Sequence, residues 1–291
     1  MIKLSVIIPY HNNKKQLLRL LESIPKKYGL EIIVVDDNSF EPLTLNDENY
    51  DVTILKNEGK RWAGAARNKG LKYANGKYVI FADSDDFFTN GAFDILESCL
   101  SDDYDVFFFN PTSVKDNGEK SGRHLLYSDL VKQYILYGNR DILYKYHAPW
   151  SKVFKKSYLI DNDIFFDEVV ASNDIVFSVK ASLLANSFSV LDKCIYCIVE
   201  SKDSLTKNRS EFVLDSRYEA LRRYNEFLLS IGDRKNLAAM SGHLRVALTF
   251  GPRKFFIRLQ ECLKSGYPLF YSLSHFLRAF RYVKAKRKEY K

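Results

Sequence analysis

The chain of 291 residues is 46% apolar and 14% aromatic, enough for a sizeable core, and shows no low-complexity tract or internal repeat. No apolar run approaches the ~20 residues of a membrane span, and Leu4–Ile8, cut short by Pro9, is too brief for a signal peptide, so a cytoplasmic protein is expected. The net charge of +8 is uneven: residues 251–291 hold 11 Lys/Arg against Glu261 and Glu289, which leaves the first 250 residues near neutral and argues against a nucleic-acid-binding body.

The first third alternates strand and helix patterns. Leu4–Ile8 is a short apolar strand ended by Pro9-Tyr10-His11-Asn12-Asn13. Lys14–Ile24 has helical spacing through Leu17, Leu18, Leu20, Leu21 and Ile24. Glu31–Val35 is a second buried strand, closed by Asp36-Asp37-Asn38-Ser39, and Val52–Leu55 is a third. Arg61–Ala74 reads as a helix rich in small residues. Tyr78–Ala82 is a fourth strand that runs into Asp83-Ser84-Asp85-Asp86. Gly91–Leu100 is helical and Val106–Phe109 is a fifth strand. This β-α-β-β-α-β order implies an α/β fold with a mainly parallel central sheet flanked by helices.

The middle third is less regular. Lys115–Gly122 reads as a polar loop, Asp129–Tyr137 as a helix, Tyr146–Lys152 as an aromatic-rich loop or turn, and Ile164–Glu168 as extended. Ser172 or Asn173 can cap a helix over Ile175–Leu184, with Asp174 in its first turn. Cys194–Val199 is a late strand. Its Cys194 and Cys197 face opposite sides, and no second pair completes a zinc site, so they read as core filler. Cys99 and Cys262 are isolated thiols. From Glu211 onward the pattern is helical, broken near Gly232, Gly251-Pro252 and Gly266-Tyr267-Pro268.

Three strand ends carry the polar residues: Asn12/Asn13, Asp36/Asp37 and Asp83/Asp85/Asp86. In a parallel sheet those ends lie along one edge and converge on one crevice, where open α/β sheets bind ligands. Three carboxylates within four residues repel unless something neutralises them. Mg²⁺ or Mn²⁺ is the natural neutraliser, since hard ions take carboxylate oxygens and bridge them to substrate phosphates. A dinucleotide-binding domain is excluded, because the turn after the first strand holds no glycine.

At these residues the chain resembles the family-2 glycosyltransferases of the GT-A fold, in their bacterial polysaccharide and lipopolysaccharide branch. Leu4-Ser5-Val6-Ile7-Ile8-Pro9-Tyr10-His11-Asn12 is similar to the family's opening strand and nucleotide loop, and Glu31-Ile32-Ile33-Val34-Val35-Asp36-Asp37-Asn38-Ser39 to its IVVDDxS segment. Asn57-x-Gly59, Gly64-x-x-Arg67-Asn68-x-Gly70 and Asp83-Ser84-Asp85-Asp86 match its following motifs in order. Pro149-Trp150-Ser151-Lys152 and Asn173-Asp174 resemble later elements. The resemblance is specific over residues 2–110, weaker to about 206 and absent beyond. It implies a nucleotide-sugar-binding half (1–110), an acceptor-binding half (111–210) and a C-terminal helical region (211–291).

The resemblance also implies roles. A sugar would move from a nucleotide diphosphate donor, most often a UDP-sugar, to a hydroxyl of a glycan or lipid-linked glycan, with inversion. Pro9, Tyr10, Asn12, Asn57, Ser84 and either Asp36 or Asp37 would hold the donor's nucleoside and sugar, with Arg67 near its phosphates. Asp85 would ligate Mn²⁺ or Mg²⁺, joined by Asp83, with Asp86 in support. Asp174 would be the acceptor-side base, with Asp167 and Glu168 as weaker candidates. Trp150, Lys152 and Asn173 would line the acceptor side, although Trp150 reads equally as core and Lys152 as structural or phosphate-binding. Two departures stand out: Asn173 occupies a position where Glu is common, and the stretch before Ser204-Leu205-Thr206 offers Lys202 where relatives often carry Arg.

Phe270, Leu273, Phe276, Leu277, Phe280 and Val283 recur at three- and four-residue steps among Arg278, Arg281, Lys284, Lys286, Arg287 and Lys288. Such a helix either meets an anionic membrane on its inner face or packs on the body with solvated lysines. Two other functions remain to weigh. A sugar-nucleotide nucleotidyltransferase should show a Gly-rich loop after the first strand, which is lacking. An inactive sugar-nucleotide-binding scaffold is disfavoured by the intact Asp83, Asp85, Asp86 and Asp174.

Overall fold

In the computed structural model, which describes residues 2–27, 29–45, 51–59, 61–201 and 208–270, the apolar runs of the first third become β1 (Leu4–Tyr10), β2 (Leu30–Asp36), β3 (Val52–Lys56) and β4 (Tyr78–Phe81). All seven residues of β1 are buried, as expected of a parallel strand covered on both faces. The four pair in parallel in the order β3-β2-β1-β4, with Tyr10 beside Asp36 and Ile7 beside Phe81. Their C-terminal ends therefore lie side by side.

Helix α1 (Lys14–Glu22) starts at Asn13, whose side chain accepts from the Gln16 N–H. Helix α2 (Trp62–Tyr73) lies close on the sheet because it is small there. A Cβ on Gly70 would come within 2.4 Å of Ile7 Cγ2. Its other face takes the segment after residue 163. A Cβ on Gly64 would meet the Asp167 carbonyl at 2.0 Å, and Asn68 clamps Phe166 by giving a hydrogen bond to its carbonyl (2.9 Å) and accepting one from its N–H (2.8 Å).

The remaining elements of the first unit are β5 (Phe87–Phe88), α3 (Ala92–Cys99), β6 (Val106–Lys115), α4 (Leu125–Tyr137), α5 (Asp141–Lys145), β7 (Lys152–Lys155), α6 (Lys156–Asp161), α7 (Ile175–Leu183) and β8 (Phe188–Glu200). β7 enters antiparallel between β4 and β6, β8 runs parallel to β6, and β5 closes the edge antiparallel to β8. Four of the seven pairings among the described residues are parallel, so the far half of the sheet is mixed.

Several elements depart from the sequence pattern. β7 lies where a loop or turn is expected, since four residues beginning with a lysine carry no readable period. β6 runs on to Lys115 past Pro111, which a register shift between Phe109 and Pro111 accommodates. Exposed Asp192 and Lys193 hide the first half of β8. Ile164–Glu168 joins no strand, because its backbone is held by Asn68 instead of a neighbouring ladder. The wedge it brings in is aromatic: Phe166 stacks on Phe177 at 3.7 Å and meets Phe81 edge-on at 4.9 Å.

The chain divides into two compact units, Met1–Asn208 and Arg209–Lys291. In the second, α8 (Glu211–Ser230), α9 (Ser241–Thr249) and α10 (Pro252–Ser265) surround Tyr218, Met240, Leu244, Cys262 and Tyr267. No helix among the described residues is long and apolar enough to cross a membrane. The amphipathic helix expected beyond Phe270, and the segment of Lys202 and Ser204-Leu205-Thr206, lie outside the described residues.

Candidate active site

The ends of β1 and β2 build one wall. Pro9 and Tyr10 are buried. Asn12 turns the chain at φ 58°, gives its N–H to Ser39 Oγ (3.0 Å) and accepts the Phe40 N–H (2.8 Å). The two aspartates behave differently. Asp36 is 6% exposed, and its carboxylate accepts the N–H groups of Ser39 (2.9 Å) and Leu43 (3.3 Å), which spends it on the turn. Asp37 is partly exposed; it accepts from the buried Asn57 side chain (2.8 Å) and from the Trp62 N–H (2.8 Å). Trp62 itself sits at φ 83°, a conformation costly for a large side chain, at the very start of α2.

Beside this wall β4 delivers the carboxylates. One oxygen each of Asp83, Asp85 and Asp86 lies within 4.8 Å of the others. Asp86 is 3% exposed and accepts from the Val199 N–H (2.7 Å) and the Tyr196 hydroxyl. The same hydroxyl accepts the Asp83 N–H at 2.8 Å. Arg19 of α1 donates to the Asp85 carbonyl and lies over the Phe87 ring at 5.6 Å. Burial, and then Asp83, push Asp85 up to about 6, while burial with Asp85 and Asp83 nearby holds Asp86 well above the ordinary range. Three hard oxygen donors that repel one another suit a divalent cation. Asp85 and Asp83 are the partly exposed members able to hold it; Asp86 is occupied by β8 and backs the turn.

The segment that leads into α7 is tied to this cluster through Arg67. That residue is 5% exposed, donates to Asp83 and to Asn173 Oδ1 (3.0 Å), and lies over Phe166 at 5.3 Å. It therefore bridges two halves of the site and has little reach left for a diphosphate. Asn173, 8% exposed, faces Arg67. Asp174 stands at the N-terminus of α7, partly exposed, and its side chain makes no capping hydrogen bond, so the helix does not consume it. Burial raises its pKa despite the opposing pull of Arg67. Asp167 and Glu168 flank the clamp around Asn68: the Asp167 backbone N–H donates to the Asn173 carbonyl (3.1 Å), and Glu168 accepts from Asn68 Nδ2 (3.4 Å).

Lys152 has no exposed surface. Its ammonium donates to the Tyr146 carbonyl (2.8 Å) among the rings of Phe108, Tyr146 and Phe154 at 5.1–5.7 Å. Burial lowers its pKa to about 7, against the attraction of Asp174. With no exposed surface, its ammonium is spent on the Tyr146 carbonyl and the surrounding rings. Trp150, 7% exposed, stacks on Tyr196 at 5.8 Å and 9° and meets Tyr127 edge-on at 4.9 Å. It braces the carboxylate turn through Tyr196. Arg19, Asn68, Tyr127 and Tyr196 were not singled out from sequence. Only Asn68 had a signal, its place next to Arg67 in a matched motif.

An α/β sheet that presents a D-x-D turn, with an aspartate facing it across a buried arginine, has the architecture of the GT-A glycosyltransferases. Residues 5–161 match the model of Glycosyl transferase family 2, and the chain belongs to that family. It is 29% identical over 235 residues to the poly(ribitol-phosphate) beta-N-acetylglucosaminyltransferase TarS of Staphylococcus aureus strain Mu50, covering 76% of this chain and 40% of TarS. It is 32% identical over 180 residues to the GalNAc(5)-diNAcBac-PP-undecaprenol beta-1,3-glucosyltransferase of Campylobacter jejuni, covering 58% of this chain and 56% of that protein. The crystal structure of S. aureus TarS 1-349 in complex with UDP-GlcNAc superposes with a TM-score of 0.62 at 24% identity, covering 88% of this chain and 75% of that one, a likeness of fold. The chain thus spans less than two thirds of the length of these curated relatives.

Proposed function

We propose that this protein transfers a sugar from a nucleotide diphosphate donor, a UDP-sugar, to a hydroxyl of a glycan or lipid-linked glycan in cell-surface polysaccharide synthesis, with inversion. The observation that carries this reading is the Asp83/Asp85/Asp86 cluster at parallel strand ends, joined by Arg67 to Asn173, the neighbour of Asp174, whose side chain makes no capping hydrogen bond. The TarS complex with UDP-GlcNAc makes that nucleotide sugar the first donor to test.

In this reading residues 1–110 bind the donor, with Asp37 and Asn57 at the nucleoside and Asp36 shaping the turn. Residues 111–210 receive the acceptor, and 211–291 form the helical region. Asp85 and Asp83 hold Mg²⁺ or Mn²⁺, which when bound supplies a Lewis acid for the diphosphate. Asp174 accepts the proton of the acceptor hydroxyl as that oxygen bonds to the anomeric carbon. The bond from that carbon to the diphosphate breaks on the opposite face, and the diphosphate leaves with the electron pair. Burial makes Asp174 a stronger base than an exposed aspartate, in the direction the step requires. The basic tail beyond Phe270 holds the enzyme to the anionic inner face of the membrane, where a lipid-linked acceptor lies.

The test is a panel of UDP-sugars with Mn²⁺ or Mg²⁺, scored for UDP release and for the anomeric configuration of the product. Release that depends on Asp174 and gives an inverted product supports the reading. No release with any donor, or a retained configuration, overturns it.

A further inference from the structure

The turn that leads from β6 into α4 carries an arginine with no role so far. It is firmly held. Ser121 Oγ donates to Glu200 (2.5 Å), Ser113 Oγ donates to the Ser121 carbonyl (2.9 Å), and the Arg123 N–H donates to Ser121 Oγ (3.2 Å). His124 Nδ1 lies 2.6 Å from Ser113 Oγ. In the β6–β8 ladder Ser113 pairs with Ile198 and Val114 with Val199. Val199 is the residue whose N–H holds Asp86. The 121–124 backbone is thus fixed one strand position from the support of the carboxylate cluster.

The Arg123 side chain is exposed and makes no hydrogen bond or ion pair among the described residues. It stands four residues before Tyr127, whose ring meets Trp150 edge-on at 4.9 Å, and its charge reaches both the Tyr127 phenol and Asp85. Nearby cations are engaged elsewhere. Arg19 is held by the Asp85 carbonyl, Arg67 by Asp83 and Asn173, and Lys152 is buried. Residues 111–208 contain one other arginine, Arg140, and it lies over Phe188 at 5.9 Å.

We infer that Arg123 binds the donor's diphosphate, presented across the crevice by the pinned 121–124 turn. The inference rests on the nucleotide-sugar reading above and adds a residue to it. A guanidinium offers a planar fork that matches two phosphate oxygens and stays charged throughout. Such contacts strengthen as negative charge gathers on the departing diphosphate.

The experiment is calorimetric titration of UDP and UMP, with Mn²⁺ present, into the wild type, Arg123→Met and Arg123→Lys. Arg123→Met should bind UDP about ten- to a hundredfold more weakly, the size of a charged hydrogen bond, and UMP as the wild type does. Arg123→Lys should fall between, since it keeps the charge without the fork. An unchanged preference for UDP over UMP in Arg123→Met overturns the inference and leaves the donor reading standing. Equal losses for both nucleotides also overturn it, as a structural effect. Normal UDP binding with a raised KM for acceptor overturns it too, by assigning Arg123 to an acceptor phosphate. A wild type that binds no nucleoside diphosphate removes the donor reading and this inference together.

Discussion

Tyr196→Phe is the most telling single-atom change. The hydroxyl accepts the Asp83 N–H at 2.8 Å and donates to the buried Asp86 carboxylate. Phenylalanine keeps the ring stacked on Trp150 (5.8 Å, 9°) and edge-on to Phe88 (5.4 Å), so no cavity opens. A buried polar group left without its partner costs about 1–3 kcal/mol. Asp83 is partly exposed and water can serve its N–H, whereas Asp86, 3% exposed, keeps only the Val199 N–H. The loss should therefore be about 2–3 kcal/mol, read from urea unfolding by circular dichroism. The turn that carries Asp83 and Asp85 should loosen as well. Partners that orient metal ligands are typically worth 10- to 100-fold in metal affinity, so Mn²⁺ binding, followed by the paramagnetic resonance of the free ion, should weaken about tenfold or more. Unchanged stability and Mn²⁺ affinity would falsify the proposed bracing. A stability loss with normal Mn²⁺ affinity would show that the hydroxyl holds β8 but does not shape the carboxylates.

Asp85→Asn should keep the fold and remove most turnover; full activity in that variant, or of the wild type in excess EDTA, excludes the metal role. Asp174→Asn should cut transfer about a hundred- to ten-thousandfold while UDP affinity stays near normal, and a parallel fall in UDP binding would place the base elsewhere. Burial takes the Lys152 pKa from 10.5 in the unfolded chain to about 7, so the native state binds that proton less tightly, and stability rises with pH between about 7 and 10.5. Lys152→Met should then stabilise the protein at pH 6, by at most about 5 kcal/mol, with the gain shrinking toward pH 10; a destabilised variant at pH 6 refutes the argument. Deleting residues 271–291 should release the protein from anionic vesicles but not change UDP affinity, and equal co-sedimentation of the full chain with neutral vesicles tells against membrane binding by charge.

The first 110 residues were legible because their signals are local. Runs such as Ile33–Val35 end in polar residues, and adjacent parallel strands then bring Asn12, Asp37 and Asp83 together without further information. Residues 111–200 were less legible because long-range contacts hold them. β7 exists because β4 and β6 flank it, and the 164–168 segment is placed by Asn68, about a hundred positions away in sequence. Tyr196 carries no local mark of function either. A tyrosine inside an apolar strand reads as core, and only its hydroxyl's two partners make it part of the site.

Arg67 shows what motif matching alone omits. The sequence places it near the donor's phosphates, yet in the structure it joins two motifs, one guanidinium nitrogen on Asp83 and another on Asn173. That bridge gives the departure at position 173 a physical sense. Asn173 is buried, and its amide oxygen accepts from Arg67 without adding a charge. The positive charge of Arg67 thus acts on Asp83 and on Asp174, whose pKa it holds down against burial. A glutamate at 173 would take up part of that charge and set a second carboxylate next to Asp174, and both effects would raise the Asp174 pKa further. With asparagine there, Arg67 opposes the burial that raises the Asp174 pKa, and no second carboxylate adds to that rise. The balance depends on three residues drawn from α2, from the end of β4 and from the start of α7.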